Sequence, residues 1–445
     1  MIKNLLITGA GVDCTKGIEF PMAATLLPEI AAYIEGGGKP VDQTLRSLLP
    51  NLRFTFASMV ARAVDAISTR GADAQRAMVQ RVQNVIDELP PGREDIRKHG
   101  ELIVRLFNKL AVIAKEGELD DETRQLIKDV FPKDAEDLMD SDSILDIHKL
   151  SLSDTFKAVL KRTLKLGLKA DRHEVAEALG ADMLNIEVLL VEKFLGFYNE
   201  SLPDIKNYLY ISWVLWAYLV EKQKAVIAAF PDGNLPFYGN LPADCHAITL
   251  NYTSFLERQL GRNRVIYFHG GLAEYVSMAT RELVPINDDM ATLNPTEFLK
   301  AQTENIQFGD EDASKHRHVI PALVPPLRLK PILSHRYIET WHQASEWVKN
   351  ATNIVVVGYS FNGADEHFND ILRQQMQGKT VTIVGPGVHD DSFLKRMEKV
   401  FHIPQANWIS TTVQKHPSKK ANHVQLLKAY ADQINIGELF GQGPQ

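Results

Sequence analysis

Five short apolar runs constrain the fold of this 445-residue chain more than any other feature. One opens the chain and four lie beyond residue 246: NLLIT (4–8), AITLNY (247–252), VIYFHG (265–270), NIVVVGYS (353–360) and TVTIVGPG (380–387). They show little polar alternation, and most end at glycine or a polar residue. This pattern is typical of parallel strands covered on both faces by helices. We therefore predict that the first run pairs in one sheet with the later ones.

The chain between about residues 42 and 230 has a different pattern. Apolar residues recur there at helical spacing, as at Leu102, Leu106 and Leu110, and strand-like runs are nearly absent. The sequence therefore predicts an α/β fold, a Rossmann-like doubly wound parallel sheet with a large all-helical insertion. We expect residues 1–40 and 241–445 to form the discontinuous sheet domain and residues 41–240 the helical insertion. Further helices are expected over 338–349 and 366–376.

Charge and hydropathy exclude two classes of protein. The formal net charge is −7 at pH 7, whereas a general nucleic-acid binder carries a basic face, so no direct nucleic-acid binding is expected. The basic stretch from Lys415 to Lys420 is interpreted as a solvated loop. The most hydrophobic stretch, Tyr208 to Val220, is shorter than the ~20 residues that span a bilayer, so it predicts a buried helix and no membrane insertion.

The cysteine count bears on redox compartment and metal content. Cys14 and Cys245 are the two cysteines of the chain. Two distant cysteines build neither a disulfide framework nor a four-cysteine zinc site, so no metal is expected. This count, and an N-terminal stretch MIKNLLITGAG without the pattern of a secretory signal, predict a cytoplasmic protein.

Glycine and polar residues follow the predicted strands. The first run is followed by Gly9-Ala10-Gly11, and the others by Asn251, His269, Gly358-Tyr359-Ser360 and Gly385-Pro386-Gly387. Ligands of open parallel sheets bind beyond the carboxyl ends of the strands, so these residues are expected to share one edge. A glycine turn before a helix N-terminus also lets the backbone approach a diphosphate.

Each of these residues also has a purely structural interpretation, which the sequence leaves open. A glycine turn after a strand often reflects tight packing alone. Asn251 could form an Asx turn or cap a helix, and His269 could be a turn residue bonded to a carbonyl. Ser360 or Asp365 could cap the helix that begins near Gly363.

The order of the motifs resembles a known family. The stretches GAGVDCTKGIEF, TLNY (249–252), HG (269–270), VGYSFNGAD (357–365) and IVGPG (383–387) resemble the motif series of sirtuin-like NAD-consuming domains, in the bacterial branch associated with anti-phage defence. LVPPLRLKP (323–331), with the following ETWHQASEWVKNATNIVVVGYS, resembles that branch too. The resemblance covers the two flanks of the chain and says little about the helical insertion.

The resemblance implies that the flanks form a sirtuin-like NAD-binding domain, which hydrolyses NAD to nicotinamide and ADP-ribose. Asn251 would hold the nicotinamide ribose and the attacking water. His269 would act as the base on a ribose hydroxyl, and no metal is needed for this step. The residues implied to bind the rest of NAD lie at the diphosphate (Gly9, Ala10, Gly11 and Asp13), in the phosphate and ribose pocket (Gly358, Tyr359 and Ser360) and at the adenosine end (Gly385 and Pro386).

Three residues depart from the pattern of that family. Asp13 stands where serine is common, Glu19 where proline is frequent, and Thr253 where an aspartate commonly follows the asparagine. Asp13 is expected to bring a carboxylate near the diphosphate and to weaken its binding.

Three functions stay open at this point. The first is an NAD hydrolase acting as a defence effector, and the second is a module that senses NAD or ADP-ribose without turnover. The third, a sirtuin-type deacylase, is disfavoured because the four-cysteine zinc module is missing. An unrestrained hydrolase would empty the cell of NAD, so we expect a homo-oligomer, a second defence protein, or both. That protein would be an ATPase, an Argonaute-like protein or a nucleotide sensor.

Overall fold

The computed structural model describes residues 2–69, 71–112, 120–131, 152–166, 173–180, 186–199, 201–302, 318–324 and 334–441. Residues 325–331 of the LVPPLRLKP motif lie outside the described residues. The chain forms two compact units, one of residues 1–22, 37–52 and 190–445, the other of residues 23–36 and 53–189. The domain bounds expected from the sequence, at residues 40 and 241, stay a prediction.

Two sheets lie in the described part of the larger unit. The strands are β1 (Asn4–Thr8), β2 (His246–Thr249), β3 (Val265–Tyr267), β4 (Glu274–Ser277), β5 (Glu282–Pro285), β6 (Val319–Pro321), β7 (Asn353–Val357), β8 (Thr380–Val384), β9 (Ile409–Val413), β10 (His416–Ala421) and β11 (Val424–Leu427). The main sheet has eight strands in the order β3-β2-β1-β7-β8-β11-β10-β9, and β5-β4-β6 form a small antiparallel sheet.

The main sheet is parallel from β3 to β11, and β10 and β9 extend it as antiparallel strands. β1 lies between β2 and β7, with Leu6 opposite both Ala247 and Val355. The predicted pairing of the first run with the later ones is thus confirmed, as is the doubly wound α/β fold. The chain order of the strands reverses between β1 and β7, the place where open α/β sheets form their ligand crevice.

The described part of the chain also contains many α-helices. They are α1 (Ala10–Asp13), α2 (Ala23–Glu35), α3 (Lys39–Leu48), α4 (Phe56–Thr69), α5 (Ala72–Glu88), α6 (Glu94–Val112), α7 (Asp121–Val130), α8 (Leu152–Leu166), α9 (Glu174–Gly180), α10 (Ile186–Phe194), α11 (Gly196–Asn199), α12 (Leu202–Ala229), α13 (Phe255–Leu260), α14 (Pro295–Ala301), α15 (Arg336–Asn350), α16 (Glu366–Gln375), α17 (Asp391–Phe401) and α18 (Ile436–Gly441).

One face of the main sheet packs on α15, α16 and α17. Ile7 and Val356 of the sheet share a buried apolar cluster with Val348 of α15, Phe368 of α16 and Met397 of α17. The two helices predicted over 338–349 and 366–376 are therefore confirmed as α15 and α16. Successive side chains of a strand point to opposite faces, so Ile7 and Val356 belong to the face that these helices cover.

The hydrophobic stretch of residues 208–220 lies inside α12 and is buried along its whole length, as predicted. α12 belongs to the unit that holds the sheets. Its Trp213 Nε1 donates a hydrogen bond to the Val319 carbonyl at 3.0 Å, and Trp216 Nε1 donates to the Leu272 carbonyl at 2.9 Å. Among the described helices, none is long and apolar enough to cross a membrane.

The described residues of the smaller unit form helices and connecting turns, with no strand among them. The imidazole of His99 on α6 is buried, and its Nε2 lies 2.7 Å from the Thr163 hydroxyl of α8. Phe131 and His173 pack edge-on against the same ring, with centroids 5.0 and 4.8 Å away. Helical periodicity brings such side chains onto one face of each helix, which builds the core of this unit.

The expectation of a solvated loop between Lys415 and Lys420 is wrong. Residues 416–421 form β10, which lies between β9 and β11 and hydrogen-bonds to both. Ser418 and Ala421 of this strand are buried, and Pro417 and Lys420 are exposed, so no period-2 pattern marks it. Backbone pairing with two neighbours determines this strand, and its charged composition hides it from a search for apolar runs.

Candidate active site

The residues predicted at the strand ends lie along one edge of the main sheet. β1, β2, β3, β7 and β8 are parallel neighbours or near neighbours, so their carboxyl ends point the same way. Gly9, Gly358 and Gly385 directly follow their strands, and Asn251 and His269 come two residues after theirs. Ala10, Gly11, Ser360 and Pro386 are exposed, so this edge is accessible from outside the protein.

The glycine turns after β1 and β7 pack directly on one another. The Gly9 N–H donates to the Val357 carbonyl at 3.0 Å, and the Gly11 N–H donates to the Gly358 carbonyl at 2.9 Å. A Cβ on Gly9 would lie 2.7 Å from the Gly358 oxygen, and a Cβ on Gly358 would lie 2.4 Å from the Val12 nitrogen. Close packing therefore requires these glycines with or without a ligand, and their contact with a diphosphate stays a prediction.

Asn251 is linked to the first glycine turn. Its Nδ2 donates to the Gly9 carbonyl at 3.1 Å, across 242 residues of sequence. Its backbone N–H donates to the Thr249 hydroxyl at 3.0 Å, which in turn accepts from the Thr8 hydroxyl at 2.9 Å. The Asn251 side chain thus makes a long-range contact and not a local helix cap. Because Nδ2 is the donor, Oδ1 is the amide atom suited to accept a hydrogen bond from a hydroxyl or a water.

His269 is 2 % exposed and faces a carboxylate. Its Nε2 lies 3.2 Å from Oδ1 of Asp365. Asp365 precedes α16 but makes no side-chain capping bond there, so capping does not explain it. Gly270 has φ +77°, and a Cβ on it would lie 1.9 Å from the Ala322 carbonyl, so the turn that carries His269 requires glycine. A carboxylate beside an imidazole orients the ring and stabilises its protonated form.

The Asp13 carboxylate is buried among neutral groups. It is 5 % exposed, Oδ1 accepts a hydrogen bond from the Tyr238 hydroxyl, and Oδ2 accepts one from the Thr253 hydroxyl at 2.9 Å. Burial raises its pKa from 3.8 to about 6, although hydrogen bonds from Tyr238, Thr253 and Asn251 act in the opposite direction. Both carboxylate oxygens of Asp13 are thus held by protein donors, which favour its ionised form.

The other predicted binding residues divide into buried and exposed ones. Tyr359 lies in the sheet core, where its hydroxyl donates to Asn369 Oδ1 at 2.8 Å. Ser360 is exposed, and Asn362 instead caps the turn that follows, accepting from the Ala364 N–H at 3.2 Å. The Gly385 N–H donates to the Leu427 carbonyl at 3.2 Å, and Pro386 is exposed. The contact of these residues with NAD stays a prediction.

Sequence reasoning missed two partnerships in this site. It considered Asp365 as a helix cap and did not pair it with His269, and it did not identify Tyr238. Asp365 ends the VGYSFNGAD stretch, so its place beside a strand end was a usable signal. Tyr238 lies in a 3-10 turn outside every motif, and nothing in its sequence surroundings marks it.

Two further features of the described residues bear on ligands. A cavity of about 300 Å³ beside β3 is lined by residues that include Arg262, Glu274, Tyr337 and Gly270, but not by Asn251 or Ser360. Within the described ranges, no cluster of three or more His, Cys, Asp or Glu residues could hold a metal ion. The absence of a metal stays a prediction.

Comparison with known proteins adds a distant structural match. No protein-family model matches the sequence. No curated protein matches it. Among solved structures, one described as "Structural Basis for the Mechanism and Regulation of Sir2 Enzymes" matches over 52% of this chain and 75% of that chain, with 15% identity and a TM-score of 0.27.

Proposed function

We propose that the protein is an NAD glycohydrolase, which cleaves NAD to nicotinamide and ADP-ribose. The observation that carries the proposal is the convergence of Asn251, bonded to the Gly9 turn, and the His269–Asp365 pair on one edge of the sheet. This edge includes the reversal of strand order between β1 and β7. The resemblance of the motif series to sirtuin-like NAD-consuming domains supports the same assignment.

The chemistry fits these side chains. The bond between ribose C1′ and the nicotinamide nitrogen breaks, and its electron pair neutralises the pyridinium as nicotinamide leaves. Water adds to C1′ and releases one proton, so NAD⁺ and water give nicotinamide, ADP-ribose and H⁺. In this proposal His269, supported by Asp365, draws on a ribose hydroxyl and stabilises the cationic ribose. Oδ1 of Asn251 accepts a hydrogen bond from the attacking water.

The test is nicotinamide release by the purified protein. Asn251→Ala and His269→Ala should each lower the rate by roughly 10²–10⁴-fold, because each removes a group that acts on the reacting ribose. Both variants should keep the fold, since both side chains lie at strand ends. His342→Ala on the exposed face of α15 is the matched histidine control and should keep the parent rate. A folded His269→Ala variant with the parent rate would contradict the assignment.

The second candidate is a module that binds NAD or ADP-ribose without turnover. It stays open because Asp13 and Thr253 depart from the pattern of the NAD-consuming family. Calorimetry with NAD and ADP-ribose separates the two functions. Binding without nicotinamide release, with and without a partner from neighbouring genes, supports the sensor and contradicts the hydrolase.

We also propose that the enzyme is an effector of bacterial anti-phage defence, restrained until infection. The proposal rests on the motif resemblance described above. Cells that carry the parent gene with its neighbours should lose NAD on infection, and cells that carry His269→Ala should not. Equal NAD loss in both strains would overturn this role.

A further inference from the structure

The hydrogen bonds around Asp13 join three separate parts of the chain. Its carboxylate accepts from Tyr238, which begins a 3-10 turn after α12, and from Thr253, which follows β2. Asn251 precedes Thr253 by two residues, and its amide also lowers the pKa of Asp13 by hydrogen bonding. Asp13, Tyr238, Thr253 and Asn251 are all less than a tenth exposed. They form one buried network, here called the Asp13 network.

The hydrogen-bonding groups of the Asp13 network favour one orientation of the Asn251 amide. A carboxylate has acceptors alone, and the three side chains that bond to Asp13 are neutral. Burial and the charge of Asp13 both raise the pKa of Tyr238, so its hydroxyl keeps its proton and donates. The NH₂ group of Asn251 donates to the Gly9 carbonyl at 3.1 Å, and a carboxylate on the same side favours that orientation. The amide oxygen is left for the substrate.

We infer that Asp13 is a positioning residue for Asn251, which holds the amide so that Oδ1 accepts from the water or ribose hydroxyl. The inference rests on the proposed NAD hydrolysis. It assigns Asp13 a role different from the diphosphate contact expected from the sequence. A carboxylate against the diphosphate would weaken binding, whereas a carboxylate that orients Asn251 acts on the rate of the reaction.

Two of the departures from the family pattern, at positions 13 and 253, are in contact with each other. That pattern has a serine at position 13 and an aspartate at position 253, and this chain has Asp13 and Thr253. The Thr253 hydroxyl donates to the Asp13 carboxylate at 2.9 Å, so the two residues form one hydroxyl–carboxylate pair between the turn after β1 and the loop after β2.

Substitutions that swap the hydroxyl and the carboxylate test the inference. We expect Asp13→Ser to lower kcat for nicotinamide release by roughly 10²-fold with KM for NAD unchanged, because a misplaced reacting group costs about that much. Thr253→Asp alone places a second carboxylate against the first and should also lower kcat. The double variant D13S/T253D should recover kcat to within about tenfold of the parent, because it restores one hydroxyl and one carboxylate.

Three outcomes would overturn the inference in a parent that cleaves NAD. One is a double variant whose loss equals the product of the two single losses. Another is an Asp13→Ser variant with a lower KM and an unchanged kcat, which would return Asp13 to the diphosphate. The third is an Asp13→Ser variant with the parent values of both constants. A parent that binds NAD but releases no nicotinamide contradicts the proposed function itself, and with it any role of Asp13 in the reaction.

A smaller substitution covers the case in which Asp13→Ser does not fold. Thr253→Val removes one hydrogen bond to Asp13 and should lower kcat at least about fivefold, on the order of the net worth of one such bond, with KM unchanged. Thr15→Val is the matched control, since the Thr15 hydroxyl is buried nearby in sequence and makes no hydrogen bond within the described structure. Equal kcat values for Thr253→Val and Thr15→Val would overturn the inference.

Discussion

At the scale of single residues, buried polar contacts distinguish this site from an ordinary sheet edge. His269 and Asp365 lie 3.2 Å apart, and both are almost fully buried. Burying polar groups costs free energy unless they are paired, and the contact between these two side chains offsets part of that cost. Two interpretations that the sequence left open, helix caps at Asn251 and Asp365, do not describe the contacts observed.

Asp365→Asn tests the pair. The amide keeps the shape of the carboxylate but removes its negative charge, so it stabilises a protonated imidazole less well. We expect kcat for nicotinamide release to fall at least about tenfold while KM for NAD stays the same. Asp370→Asn, on the exposed side of α16, is the matched control and should keep the parent kcat. Equal kcat values for the two variants would show that Asp365 does not assist His269.

At the scale of elements, the glycine turns join the strand ends into one rigid edge. Gly358 has φ +67° and touches the turn after β1. Gly378 has φ +76°, and a Cβ on it would meet no atom within 4 Å in the described part of the chain. The two glycines share a backbone conformation and differ in packing. A comparison of the two positions therefore separates the free-energy cost of the left-handed backbone from the cost of the close contact.

Alanine at each of these glycines tests that separation. Both substitutions should lose about 1–2 kcal/mol to the left-handed backbone. Gly358→Ala should lose at least about 2 kcal/mol more, because its Cβ would lie 2.4 Å from the Val12 nitrogen. Denaturant unfolding of each variant measures the difference. Equal losses of unfolding free energy would show that the turns after β1 and β7 can move apart without a free-energy cost.

The contact between α6 and α8 makes the smaller unit sensitive to acid. Burial lowers the pKa of His99 from 6.5 to about 3, with a smaller effect from His173. A lowered pKa means that the neutral ring favours folding above pH 6.5 and that this contribution is lost as the pH falls toward 3. In that window, the unfolding free energy of the parent should fall relative to His99→Gln by up to about 1.4 kcal/mol per pH unit.

Hydrogen exchange of residues 94–112 and 152–166 measures this difference at pH 7, 6 and 5. At pH 7 the parent should protect these helices better than His99→Gln, because the variant loses packing around Thr163. The advantage should shrink at each lower pH. A difference that stays constant with pH would show that His99 does not titrate on unfolding.

At the scale of the whole molecule, the chain has more helical residues than are needed to cover one ligand-binding edge of the sheet. Apolar helix faces beyond that need tend to be buried against another chain. We expect light scattering to show an oligomer, or a monomer that enlarges when its partner is added. A strict monomer under all conditions, with no partner recovered, would contradict this expectation.

The sequence by itself determined the elements whose signal is local. The runs at 4–8 and 353–357 are strands because continuous apolar residues need cover on both faces, and 208–220 is a helix that is buried for the same reason. The sequence also predicted which residues share one edge of the sheet, since a parallel sheet aligns the carboxyl ends of its strands. These arguments placed Asn251 and His269 on one edge.

Tertiary structure alone decided which side chains meet. Asn251 bonds to Gly9 across 242 residues, and Thr253 bonds to Asp13 across 240. No local period encodes such a contact, because it depends on strand order and on the path of the chain between the strands. β10 shows the same limit of sequence analysis, since hydrogen bonds to β9 and β11 hold a strand that its polar sequence does not indicate. Local periodicity determines an element, and long-range packing determines a site.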